Sequence, residues 1–200
     1  MTNRIDGSAL LRRGLLLEYL TLGWNVVGTV VVIVAAFAAH SVALAGFGLD
    51  SLVEIGASTV VIWQLRGIHE GREKRALRLI SISFFALAIY ILGQSAHTFL
   101  LRVHPSTSPL GIVWLSLTLA AMLALAAGKH RTGIALNNQV LKTEARVTLV
   151  DAYLAGSVLL GLIFNALCGW WWADPLAGLV IVFYGFREGR HAWAEANATA

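Results

Sequence analysis

The stretch Ala45-Gly-Phe-Gly-Leu-Asp-Ser-Leu-Val-Glu-Ile-Gly56 decides how the rest of the chain is read, because it sets Asp50 and Glu54 in the middle of a long apolar segment. A charged side chain near the centre of a bilayer costs at least about 2.5 to 3.5 kcal/mol, so a span excludes it unless it pairs, takes a proton or binds something. Four residues apart on a helix, the two carboxylates share a face, about 40° apart around the axis. As bare like charges they repel each other, and a proton or a divalent cation removes that penalty. One reading is a cation site inside a membrane protein; the other is two protonated acids hydrogen-bonding neighbouring helices. Ionisable groups within a span are functional by default, so the cation site is the expectation.

Composition places the segment in a membrane. With 58% hydrophobic residues, 13% charged and a mean hydropathy of +0.73, the chain is too apolar for a soluble domain of 200 residues. The expected fold is an all-α integral membrane protein of six transmembrane helices with both termini cytoplasmic: a cytoplasmic segment over 1–13, a transmembrane domain over 14–186 and a short tail over 187–200. The lone Cys168 excludes an intramolecular disulfide framework and a cysteine-rich metal site. The net charge of +4 would suggest nucleic acid for a soluble protein. Here the basic residues fall between apolar spans and report topology instead.

Working outward, the first span runs from about Gly14 to Ala38, too long for a signal-peptide core. Glu18, Thr21 and Asn25 form a polar stripe on it that should face the bundle. Glu18 either joins a cation pathway or reaches interfacial water. His40, in the tight link to the second span, reads as a solvated loop residue. Gly46, Gly48 and Gly56 should let neighbouring helices come close around the acids. The basic run from Arg66 to Arg78 reads as a loop facing solvent and lipid headgroups.

A third span, about Ala76 to Leu101, contains Gln94, Ser95 and His97; His97 reads as a hydrogen-bonding partner of a neighbouring helix, or as a metal or proton carrier near the outer side. After a fourth span, Lys129-His-Arg131 reads as an inner loop. Glu144, Val147 or Thr148, and Asp151 share a face of the fifth span, the two acids about 10 Å apart along the axis. Asp151, bounded by apolar residues, is a site candidate; Glu144, beside Lys142 and Arg146, reads as half of a surface ion pair. Trp170, Trp171 and Trp172 suit an outer aromatic belt, and Asp174-Pro175 the first turn of a sixth helix. With the N-terminus inside, all but Arg102 of the 15 lysines and arginines lie on the inner side. That asymmetry predicts both termini in the cytoplasm.

These residues resemble the transmembrane half of a cation diffusion facilitator, a family of divalent-metal transporters that exchange zinc or related ions for protons. The likeness is most specific in Ser41-Val-Ala-Leu-Ala-Gly-Phe-Gly-Leu-Asp50-Ser-Leu-Val-Glu54, similar to the family's second-helix pair of metal-binding residues, with Glu54 where Asp is usual. The fifth-helix pair falls on Val147 and Asp151. Val147 cannot bind a metal, so the resemblance implies a site of Asp50, Glu54 and Asp151, with Thr148, Glu18, Asn25, water or nothing in the fourth place. It implies the shorter form of the family, without the cytoplasmic domain that usually dimerises, which leaves a homodimer open.

The implied function is export of a divalent metal in exchange for protons, with no cofactor and the bilayer as partner. Zinc is the first guess from the resemblance, while an all-oxygen ligand set drifts toward manganese, iron(II) or magnesium, and cadmium is a further candidate. The alternative is a membrane interaction partner or metal-responsive regulator that no longer transports. No nucleophile and base pair, phosphate loop or Cys/His cluster points to an enzyme. Short loops suit a multi-pass protein of a bacterial inner membrane.

Overall fold

Six helices carry almost every residue that a computed structural model of the chain describes, 2–65 and 73–198. They are α1 (Thr2–Ala39), α2 (Val42–Leu65), α3 (Glu73–Leu101), α4 (Pro109–Ala135), α5 (Gln139–Cys168) and α6 (Ala173–Ala198). Residues 66–72 lie outside the described set, so the basic run expected there is not placed; nor are the side chains of Lys74 and Arg75.

The breaks between helices have local causes. His40 takes a left-handed backbone (φ 51) and is exposed, a solvated hinge residue between α1 and α2 as expected. The Ser108 hydroxyl accepts from the Gly111 N–H at 3.2 Å, and Pro109 follows in the first helical position, so α4 starts there. Asn138 caps α5 by accepting from the Leu141 N–H at 3.0 Å. Gly169, at φ 66, ends α5 in the left-handed conformation that glycine adopts without a Cβ penalty.

Several helices run further than the sequence reading has them. α1 begins at Thr2, α4 continues through Lys129-His-Arg131 to Ala135, and α6 continues past Phe186 to Ala198. None of these stretches carries a proline that would force a stop. The expected loop at Lys129 is therefore corrected to helix, and Lys129 itself is completely buried.

Polarity is inverted relative to a soluble protein. Leu100, Leu167 and Phe37 are about four-fifths exposed, at 82%, 80% and 78%, whereas Glu18, Lys129 and Asp174 are fully buried. An apolar exterior around a polar interior is what a lipid environment selects. Among the described residues four segments are long and apolar enough to cross a membrane: Ser8–Ala39, Ser81–Leu101, Pro109–Ala135 and Glu144–Cys168. α2, with its two acids, and α6, with Asp174 and the polar stretch from Arg187, are not among the four.

α1 pairs with α2, α3 with α6 and α4 with α5, and the pairs join through α1 on α4 and α5 on α6. α2 also touches α3, α5 and α6, which sets it at the centre. Leu44 and Phe47 of α2 pack with Ile91, Leu115, Val158 and Ile181 in one core. Gly46 and Gly48 make the expected close approaches: a Cβ at Gly46 would fall 2.9 Å from Ile91 Cδ1 and 3.0 Å from Ile181 Cδ1, and one at Gly48 3.2 Å from Ile33 Cγ1. Gly56 does not, since a Cβ there meets no described residue within 4 Å.

Candidate functional site

Because α2 is central, its acid-bearing face turns inward, with Asp50 and Glu54 at 5% and 2% exposure. α5 presents Asp151 to the same space, and a narrow cavity is lined by Asp50, Glu54 and Asp151 together with Val147, Tyr184 and Glu188. The three acids named from the sequence thus border one cavity. Glu188 of α6, which reads from the sequence as part of a polar tail, is the fourth carboxylate on its wall and retains 15% side-chain exposure.

The acids differ in how they are satisfied. Asn25 of α1 donates through Nδ2 to Glu54 Oε2 at 2.6 Å, while Glu54 Oε1 has no hydrogen-bond partner among the described residues. Asp151 is 1% exposed, and neither of its oxygens has a hydrogen-bond partner among the described residues. Buried polar atoms are nearly always hydrogen-bonded, so these oxygens are exceptions that a proton or a cation would satisfy. The donor set is all oxygen, suited to a hard or borderline divalent ion. In this arrangement no three His, Cys, Asp or Glu side chains among the described residues stand close enough to enclose a metal together. Val147 lines the cavity as an apolar side chain at the position where the fifth-helix pattern expects a ligand.

A second polar layer lies one to two helical turns away. Lys129 Nζ of α4 donates to Glu18 Oε2 of α1 at 3.1 Å, to Glu144 Oε1 of α5 at 3.4 Å and to Thr148 Oγ1 at 3.0 Å. Ser58 of α2 donates to Glu144 Oε1 at 3.4 Å. The surface ion pair expected of Glu144 is therefore corrected: at 4% exposure it pairs with Lys129 inside the bundle, because its helix face continues the line to Asp151. Thr148 and Glu18 likewise meet Lys129, and Asn25 meets Glu54. The stripe of Glu18, Thr21 and Asn25 does face inward, at 0%, 0% and 2% exposure.

His97 is exposed on α3 and does not line the cavity. The one signal for Lys129 in the sequence was period: Leu115, Thr118, Met122, Ala126 and Lys129 recur every three or four residues along α4, and all are buried.

Asp174 works between helices. It lies in the first turn of α6, as expected, but Oδ2 accepts from the Val42 and Ala43 N–H groups at 2.9 and 3.3 Å, and Oδ1 from the Ser41 hydroxyl. A carboxylate of α6 thus caps α2, whose first N–H groups have no partner within the helix. Trp170 and Trp172 stack with ring centroids 5.0 Å apart and are 42% and 39% exposed, which fits an interfacial belt.

Residues 78–196, more than half of the chain and including Lys129, Glu144, Asp151 and Asp174, match the family model of the cation efflux transmembrane domain.

Proposed function

From the premise that the chain belongs to the cation efflux family, a family of divalent-cation transporters, we propose that it exports a divalent metal from the cytoplasm in exchange for protons, with Asp50, Glu54 and Asp151 as the transport site. The observation that carries this reading is Asp151: a carboxylate buried on the cavity wall, with neither oxygen hydrogen-bonded among the described residues, in the space that Asp50 and Glu54 also line. In the proposed cycle the empty site holds protons, since close carboxylates out of water cannot all remain ionised. Metal arriving from the cytoplasm needs them ionised and displaces those protons. Small shifts of α2 against α5 draw the three acids around the ion, and outward rocking of the bundle lets protons from the far side release it.

The proposed topology has six crossings and both ends in the cytoplasm, in a bacterial inner membrane. Zinc is the first candidate and manganese the second, because the site offers no nitrogen ligand. The fourth coordination position falls to water, since Thr148 and Glu18 belong to the separate layer around Lys129 and Asn25 is bonded to Glu54. The alternative of a non-transporting regulator draws on Val147 at an expected ligand position.

Titration calorimetry of the purified protein with zinc and manganese tests the site. One ion bound per chain at the cavity, lost in Asp151→Asn and weakened as pH falls from 7.5 to 5.5, is expected. Undiminished binding in Asp151→Asn would remove that residue from the site.

A further inference from the structure

The Lys129 pocket has the chemistry of a cation-binding site with a cation already in it. An ammonium has three N–H donors and no acceptor. All three are matched, by Glu18 Oε2 at 3.1 Å, Thr148 Oγ1 at 3.0 Å and Glu144 Oε1 at 3.4 Å, from three positions on two helices other than its own. The ammonium and the Glu18 side chain are fully buried and Glu144 is 4% exposed, so water does not share the load. Glu18 Oε1 remains without a hydrogen-bond partner among the described residues, a further oxygen free to ligate.

We infer that Glu18, Glu144 and Thr148 form a second cation site, which the chain fills with its own Lys129 in place of a free divalent ion. Two carboxylates and a hydroxyl match a hard divalent cation of the manganese or magnesium class in charge and donor type. The oxygens stand 3.0 to 3.4 Å from Nζ, so they contract by about 1 Å to reach such an ion, whose ligands lie at about 2.0 to 2.2 Å. The site is one to two turns from the transport acids: Ser58, bonded to Glu144, is one turn from Glu54, and Thr148 is one turn from Asp151. A tethered ammonium there supplies a fixed charge that does not depend on ion supply, and it denies a second metal a place in series with the transported one. Selectivity for one ion per cycle is its consequence. This last role rests on the proposed transport function; the existence of the site does not.

The experiment is equilibrium dialysis of the full-length protein in detergent micelles against manganese, comparing wild type with Lys129→Ala. One additional manganese ion per chain in Lys129→Ala is expected, retained when Asp50→Asn is added and lost when Glu18→Gln and Glu144→Gln are added. Retention in the Asp50→Asn background separates this site from the transport site, so either can fail alone. Truncation also strands two buried acids, so thermal melting accompanies the dialysis. Manganese should raise the Tm of Lys129→Ala by several degrees more than that of wild type, with no such excess in the variant that also carries both glutamines. Equal manganese stoichiometry in wild type and Lys129→Ala, or an extra ion that survives the two glutamine changes, would overturn the inference.

Discussion

Removing one member of a buried ion pair costs far more than the intact pair contributes, because the charge left behind has neither water nor a partner. For Lys129→Met in metal-free buffer we expect a loss of about 3–5 kcal/mol, read as a lowered midpoint in chemical denaturation. Adding Glu18→Gln and Glu144→Gln to that variant should recover most of it, since no buried charge then remains in the layer. Asn25 acts differently. Its 2.6 Å bond to Glu54 Oε2 orients a proposed metal ligand, so Asn25→Ala should weaken metal binding about 10–100-fold, measured by calorimetry, while leaving the bound stoichiometry unchanged. The acids themselves were legible in the sequence, because a carboxylate flanked by apolar residues stands out at Asp50, Glu54 and Asp151. Lys129 was not, because it sits next to His130 and Arg131 and looks like the start of a basic loop until its helical period is followed. Glu144 misled for the same reason, its sequence neighbours Lys142 and Arg146 being partners less apt than a lysine from another helix.

At the level of elements, α2 owes its starting point to α6. Asp174→Ala removes the acceptor for two N–H groups and the Ser41 hydroxyl, and should cost about 0.5–2 kcal/mol in thermal or chemical denaturation. Asp174→Asn should cost less, because an amide oxygen still accepts. Close helix contacts impose a second limit. A Cβ at Gly161 would fall 3.0 Å from the Ala173 carbonyl oxygen, a backbone atom that cannot swing aside, so Gly161→Ala should destabilise by about 1–3 kcal/mol in the same assay. Helix number and order were readable from apolar runs; the caps at Ser108-Pro109, Asn138 and Gly169 emerge from the structure, and the start of α5 at Asn138 was not placed from the sequence. Helix ends without such signals were not readable. The extension of α4 through Arg131 and of α6 to Ala198 depends on packing against α5 and α3, and periodicity in one segment carries no information about its neighbour. The same holds for Asp174, whose position in α6 was evident but whose service to α2 is a contact across 132 residues of sequence.

For the whole molecule, the placement of charge predicts sidedness. In a Cys168→Ala background, Ser106→Cys on the α3–α4 link should react with a membrane-impermeant maleimide added to intact cells, and His130→Cys should react only after permeabilisation; both positions are exposed. The reverse pattern would invert the proposed topology. Under the proposed function, metal and protons are rivals for one set of buried oxygens. The most direct test reconstitutes the protein in liposomes with an internal metal-sensitive dye and follows zinc and manganese entry under an imposed proton gradient, for wild type and for Asp50→Asn. Metal entry that requires both the gradient and the Asp50 carboxylate is the predicted result. Entry at the wild-type rate in Asp50→Asn, or entry indifferent to the gradient, would contradict proton-coupled transport through the buried acids.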